Sequence, residues 1–228
     1  MAGRVLAITG AFGVLGAAVA KRAAAEGARL ALIDFVPASA GPTPEGALLL
    51  GGVDLADPAA AAKALGAAAE TFGGVDALIN IAGGFRWETL ADSTPESWAG
   101  LYKMNVLTAA NASRAAIPHL RKSAAGRIVN IGANGAVKAA MGMGPYAASK
   151  AGVHKLTEAL AEELKADGIT VNAVLPSILD TPTNRADMPD ADPSAWVAPD
   201  DLAAVILFLA SEAARAVTGA LVPVTGRV

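Results

Sequence analysis

Short apolar, β-branched runs alternate along the chain with Ala-rich runs that carry scattered charges. RVLAIT (4–9) reads as a strand, and GVLGAAVAKRAAAEG (13–27) as a helix stopped by Gly27. ARLALID (28–34) and ALLLGGVDL (47–55) read as the next strands, followed by a helix over 58–72 and a fourth strand, VDALINIAG (75–83). A helix over 96–121 leads to a fifth strand, GRIVNIGA (126–133). The long helix 146–168 ends at a glycine and leads to a sixth strand, ITVNAVLP (169–176). A helix over 200–215 and a last strand, ALVPV (220–224), complete the pattern.

Apolar strands alternating with helices imply a parallel sheet covered on both faces. With right-handed crossovers, this predicts an α/β Rossmann-type, doubly wound sheet of about seven strands. No internal repeat interrupts it, and residues 1–228 read as a single dinucleotide-binding domain. Two segments rich in Pro, Ala, Asp and Ser, 35–46 and 177–199, read as loops. The second is long for a loop and is expected to cover substrate.

Composition narrows the partners. Hydrophobic residues make up 54% of the 228 and charged residues 17%, ample for a two-faced core. A net charge of −3 without a basic block argues against nucleic acid and anionic membranes. Cysteine is absent, which excludes disulfides, thiolate metal sites and a cysteine nucleophile. The two histidines, His119 and His154, lack metal-ligand spacing; they are expected on helix surfaces, and no metal site is expected. The N-terminal stretch lacks a signal-peptide cleavage pattern, and no apolar run reaches membrane-spanning length, so a cytoplasmic location is expected.

The chemistry is concentrated in three places. TGAFGVLG (Thr9 to Gly16) joins the first strand to the first helix, where glycines allow a tight turn and close approach of the backbone to a pyrophosphate. Asp34 closes the second strand, 18 residues after Gly16, where a carboxylate accepts from the ribose hydroxyls of NAD and repels the 2′-phosphate of NADP. NAD(H) is therefore expected over NADP(H). Tyr146 and Lys150 lie four residues apart on one helix face. Hydride transfer to a carbonyl builds negative charge on oxygen, so a proton donor is needed there. A phenol with a pKa near ~10 would act both ways at neutral pH only if a neighbouring ammonium lowered it.

Together these pieces resemble the short-chain dehydrogenase/reductase family over nearly the whole chain. The resemblance adds VDL (Val53 to Leu55), NIAG (Asn80 to Gly83), Asn105, RIVNI (Arg127 to Ile131), YAASK (Tyr146 to Lys150), VNAVLP (Val171 to Pro176) and TGA (Thr218 to Ala220). It implies a catalytic set of Tyr146, Lys150 and Asn105, with Asn105 holding a water that relays protons to Lys150. It implies a cofactor held by Gly10, Phe12, Gly13, Val14, Leu15 and Gly16, with Asp34 at the ribose and Asp54 and Leu55 near the adenine. Asn80, Ala82 and Gly83 would support the adenosine half, Lys150 would touch the nicotinamide ribose, and Pro176, Ile178 and Thr181 would frame the nicotinamide. The family also commonly pairs the helices placed here at 96–121 and 146–168, whose Ala109, Ala110, Ala115, Ala147, Ala148 and Ala151 permit close packing; a homodimer or homotetramer is expected.

Three positions depart from the family pattern. Val14 stands where its second glycine falls, with Gly13 beside it, so the loop is expected to shift that contact back by one residue. Ser177 replaces the glycine of the usual Pro-Gly pair. Ala133 stands 13 residues before Tyr146, in the place of the family's catalytic serine. Losing such a donor costs on the order of 10²–10³ in rate where a full alkoxide forms. Either Asn134 substitutes, or the substrate needs less help. Dihydropteridine reductases, one group within the family, resemble this chain in lacking that serine, in the segment Asp180 to Trp196, and in an aromatic residue, here Phe85, after Ala-Gly-Gly. Their quinonoid substrate spreads charge over a conjugated ring. The sequence thus implies a small cyclic or aromatic carbonyl, alcohol or quinonoid substrate, lined by Ala133, Asn134, Phe85, Trp87, Met141 and Trp196, with quinonoid dihydropteridine reduction as the alternative. A catalytically inactive dinucleotide-binding protein is the competing reading outside enzymes; the joint presence of Asn105, Tyr146 and Lys150 speaks against it.

Overall fold

The computed structural model describes all 228 residues. Seven parallel strands form one sheet in the order β3-β2-β1-β4-β5-β6-β7. They are β1 (Val5–Thr9), β2 (Arg29–Ile33), β3 (Leu48–Leu50), β4 (Ala77–Asn80), β5 (Arg127–Ile131), β6 (Thr170–Pro176) and β7 (Leu221–Val224). Helices α1 (Val14–Ala25) and α7 (Pro199–Ala210) pack on one face, around Leu6, Ile8, Val19, Leu32 and Ile206. On the other face α2 (Pro58–Phe72), α4 (Thr108–Leu120) and α5 (Gly144–Leu164) enclose Ile33, Leu65, Leu78, Leu120 and Ile128. No helix is long and apolar enough to cross a membrane.

The strand order reverses between β1 and β4, and this reversal positions the site. Chains leaving the two strands diverge there and open a crevice at the carboxyl ends. Thr9 knits its floor: its Oγ1 accepts from the N–H groups of Ile81 and Ala82, both at 3.1 Å. Gly10 has φ +64°, and a Cβ on it would come within 2.8 Å of Ala82 N, so the two exits fit together only with glycine.

Some boundaries are locally encoded. Helix α2 begins where Asp57 caps the Ala59 N–H with Pro58 at its first position, and ends at Gly73 with φ +81°. Others differ from the sequence expectation. The single helix expected over 96–121 is three pieces: α3 (Pro95–Tyr102), a π-helical segment (Lys103–Leu107) and α4. The third strand ends at Leu50 rather than 55, because Gly51 and Gly52 turn against the backbone of Val36 and Pro37. The 177–199 segment is not a plain loop. It holds α6 (Pro182–Asp187), capped by Thr181, and a 3-10 turn (Pro193–Ala195), and Leu179 bridges to Val197.

Candidate active site

A cleft of about 820 Å³ lies over the β1/β4 reversal, within the size range of small-molecule sites. Gly10, Gly13, Val14, Leu15 and Gly16 form one wall. A Cβ on Gly16 would strike Gly10 O and come within 2.6 Å of Ala11 Cα, so the turn keeps the backbone bare. Gly13 caps α1 without a side-chain hydrogen bond, and no acidic residue occupies the first turn. The leading N–H groups of α1 therefore face the cleft unclaimed, a ready anion site. Val14 is the first residue of α1 and lines the cleft, while Gly13 takes the capping position one residue back. Phe12 falls elsewhere: its ring lines a different cavity, on the α1 side, and only its N–H serves the site, through Asp34.

Asp34 stands at the far end of the cleft, 8% exposed. Its Oδ2 accepts from Phe12 N at 2.8 Å and its Oδ1 from Val36 N at 3.0 Å. Each oxygen retains a lone pair, and the two contacts fix the carboxylate's orientation. The exposed ring of Phe35 lines the cleft beside it, as do Val53, Asp54 and Leu55. Lys103 is the one cation lining the cleft, and it pairs with Asp54 at 3.7 Å. The cleft continues along Ile81, Ala82, Gly83 and Gly84 to Leu179, Thr181 and Thr183.

Besides Phe12, Tyr146 and Lys150, three expected cofactor residues lie off this wall. Pro176 and Ile178 do not line the cleft; Leu179 and Thr183 do. The Thr181-Pro182 pair announces a helix start that could have located them, since a capping threonine before proline is a local signal. Asn80 points sideways instead, its Nδ2 donating to Ser113 Oγ (3.1 Å) and Asn130 Oδ1 (2.9 Å), so it ties β4 to its neighbours. Its Oδ1 is buried without a partner.

The catalytic candidates gather past Gly83. A Cβ there would lie 3.5 Å from Lys150 Nζ, which places the ammonium behind the cleft wall at Gly83. Lys150 Nζ donates to the Ile131 carbonyl at 2.8 Å, and burial lowers its pKa to about 8. The Tyr146 ring meets Phe85 edge-on with centroids 4.9 Å apart. Burial raises the Tyr146 pKa to about 12. That reverses the sequence expectation of a lowered phenol. In the protein alone, desolvation of phenolate dominates, and Lys150 is bound to a carbonyl instead.

Asn105 sits in the π-helical segment, buried. Its side chain grips Gly84 at both N (2.9 Å) and O (3.1 Å) and donates to Ser149 Oγ at 2.9 Å. Ser149 Oγ in turn donates to the Tyr146 carbonyl at 2.7 Å. From within the π turn one side chain thus bridges β4's exit and α5. Among the substrate candidates, Phe85, Trp87 and Met141 are exposed, and the Trp87 indole lies over Gly142. Trp196 is buried at 8%, so it belongs to the packed segment rather than to an open wall. Ala133 is buried and Asn134 half-buried. His119 is half-buried, whereas His154 is buried beneath the β5 exit, not on the helix surface. No cluster of side chains could hold a metal ion.

Comparison with known proteins agrees with this fold. The short chain dehydrogenase family profile matches residues 4–192. A 2,5-dichloro-2,5-cyclohexadiene-1,4-diol dehydrogenase of Sphingobium indicum is 33% identical over 240 residues, spanning 99% of this chain and 96% of that protein. The crystal structure of carveol dehydrogenase from Mycobacterium avium, in complex with NAD, superposes with a TM-score of 0.87 at 29% identity, covering 99% and 97% of the two chains. A 3-ketoacyl-(acyl-carrier-protein) reductase from Brucella melitensis, complexed with NADH, gives 0.87 at 31% identity over 99% and 98%.

Proposed function

The chain belongs to the short-chain dehydrogenase family of oxidoreductases, and from that premise we propose that it transfers hydride between NAD(H) and a small cyclic or aromatic carbonyl, alcohol or quinonoid compound. The observation that carries this reading is one cleft lined by both Asp34 and Gly83, with Lys150 Nζ beside Gly83. Asp34 accepts from the adenosine ribose hydroxyls with the lone pairs its two backbone contacts leave free. The uncapped N–H groups at the start of α1 meet the diphosphate, and the bare backbone at Gly10 and Gly16 gives it room. The carboxylate at Asp34 disfavours a 2′-phosphate.

Bound nicotinamide supplies or accepts the hydride. Tyr146 handles the proton. Its phenol is protonated at neutral pH, with a pKa of about 12, so it donates to the substrate oxygen as negative charge develops there. The carbonyl carbon gains hydride, its oxygen gains the Tyr146 proton, and the phenolate is reprotonated from solvent; alcohol oxidation runs the same steps backward. With the cofactor bound, Lys150 would hold the nicotinamide ribose, and its ammonium would favour the phenolate that burial resists in the protein alone. Asn105 fixes Gly84 and, through Ser149, the first turn of α5, which sets the phenol against the cleft.

Ala133 favours a second, narrower reading. With no hydroxyl there, an acceptor whose charge spreads over a conjugated ring is handled best, as in quinonoid dihydropteridine reduction. The relative from Sphingobium, named for a cyclohexadiene diol, is consistent with a ring-shaped substrate.

Steady-state kcat/KM with NADH and NADPH, against cyclic ketones, quinones and quinonoid dihydropterin, tests the proposal. NADH should win by about 10-fold or more, an order expected for a carboxylate rejecting a phosphate. Asp34→Ala should narrow that gap. Tyr146→Phe should abolish turnover while NADH still binds. Preference for NADPH, or full turnover in Tyr146→Phe, would overturn it.

A further inference from the structure

Helix α5 grips the exit of β5 at two points one helical turn apart. Lys150 Nζ donates to the Ile131 carbonyl at 2.8 Å, and His154 Nε2 accepts from the Ala133 N–H at 3.2 Å. The second contact falls on the residue that stands in place of a catalytic hydroxyl. His154 is 5% exposed, and its ring fills the space under Gly132: a Cβ there would lie 2.6 Å from Nε2 and 3.1 Å from Leu175 Cδ1. A ring nitrogen that accepts an N–H carries no proton, so the imidazole is neutral with its hydrogen on Nδ1. Burial, and then the Lys150 ammonium, hold its pKa below the usual value, which keeps the acceptor form at neutral pH.

A leucine-sized side chain would fill the same space. The acceptor nitrogen does something packing cannot. The Ala133 N–H is buried, and an orphaned buried donor costs about 1–3 kcal/mol, enough to rotate the peptide toward another acceptor. Rotation would swing both the Ala133 methyl and the Asn134 side chain that follows it. We propose that His154 is a positioning residue of the active site, which fixes the Ala133 peptide and thereby sets Ala133 and Asn134 against the substrate. A corollary is that the Ala133 amide is committed to His154 and is not a second donor to the substrate oxygen; the side chain that follows it, Asn134, is the candidate instead. The kinetic consequence rests on the dehydrogenase reading, while the hydrogen bond itself does not.

Two measurements test it with three proteins: wild type, His154→Leu and His154→Gln, whose side-chain oxygen restores an acceptor. In the first, NMR of the full-length protein at pH 7 follows the His154 tautomer and the hydrogen exchange of the Ala133 amide. Nε2 should be unprotonated in wild type. Exchange at Ala133 should accelerate about 10-fold or more in His154→Leu, as expected for the loss of a single protecting bond, and stay slow in His154→Gln. In the second, turnover with NADH should fall about 10- to 100-fold in kcat in His154→Leu, the order of a small misplacement, with NADH affinity by fluorescence titration unchanged and with substantial recovery in His154→Gln. Equal exchange in all three proteins, or equal kcat in His154→Leu and His154→Gln, overturns the proposal. Absence of turnover in wild type with every compound offered would instead overturn the dehydrogenase reading, and the exchange result then decides the role of His154.

Discussion

At the scale of single residues, desolvation is the dominant force on Tyr146 and Lys150. Lys150 is held at a pKa of about 8, below the ordinary 10.5 it regains on unfolding. Below pH 8 both states carry the charge, and the folded state bears the full penalty of burying it. Between pH 8 and 10.5 the unfolded chain binds the proton and the folded protein does not, so stability rises with pH across that window. Lys150→Met removes the buried charge but also the bond to Ile131. The net gain in unfolding free energy at pH 7 should be on the order of 2 kcal/mol; it should shrink as pH rises, cross zero between about pH 9 and 10, and reverse by pH 10.5, where only the lost bond remains. Urea titrations of both proteins from pH 7 to 10.5 measure this directly; a gap independent of pH would contradict it. The neighbouring question is Ala133. On a conjugated acceptor, Ala133→Ser should leave kcat/KM nearly unchanged, but on a simple ketone it should raise it by about 10-fold, since an alkoxide-like transition state uses the added donor. An unchanged ratio of ketone to quinonoid activity would mean that Tyr146 alone supplies the polarisation.

At the scale of elements, the π-helical segment Lys103–Leu107 joins parts of the site that are distant in sequence. Asn105 reaches Gly84, 21 residues before it, and Ser149, 44 residues after it. Asn105→Ala leaves the partly buried N–H and carbonyl of Gly84 without their side-chain partner. Destabilisation of about 2–4 kcal/mol should follow in equilibrium unfolding, with a loss of kcat larger than any loss of NADH affinity. A change below about 0.5 kcal/mol would show that water takes over these contacts without penalty. The apolar pattern of 96–121 does not distinguish one long helix from this broken one, because a π turn shifts the phase by a single residue and both readings bury one stripe. Helix α2 is the opposite case: Asp57, Pro58 and Gly73 mark its ends within the sequence itself.

At the scale of the whole molecule, the alanines expected at an interface divide between two roles. Ala109 and Ala147 are buried within the chain, while Ala148 on α5 is exposed, as are Tyr102 at the end of α3 and Leu107 at the end of the π-helical segment. An exposed apolar surface of this kind on α3, the π-helical segment and α5 is what pairing of these helices would cover, and we propose a homodimer or homotetramer. Light scattering at micromolar concentration should report an assembly, and Tyr102→Glu should shift it toward the monomer; a monomeric wild type refutes the pairing. The sequence by itself determined the order of strands and helices, the glycine turn after β1, Asp34 at the end of β2 and the common face of Tyr146 and Lys150. Each depends on neighbours within a few turns of chain, where periodicity and steric rules act. The tertiary structure alone decided that Thr9 ties Ile81 and Ala82, that His154 serves Ala133 across 21 residues, and that Asn80 braces the sheet instead of facing the cleft. It also reversed the expected shift of Tyr146. These outcomes rest on which distant segments meet at the β1/β4 reversal and on how completely they exclude water, and neither is a property of any local stretch of sequence.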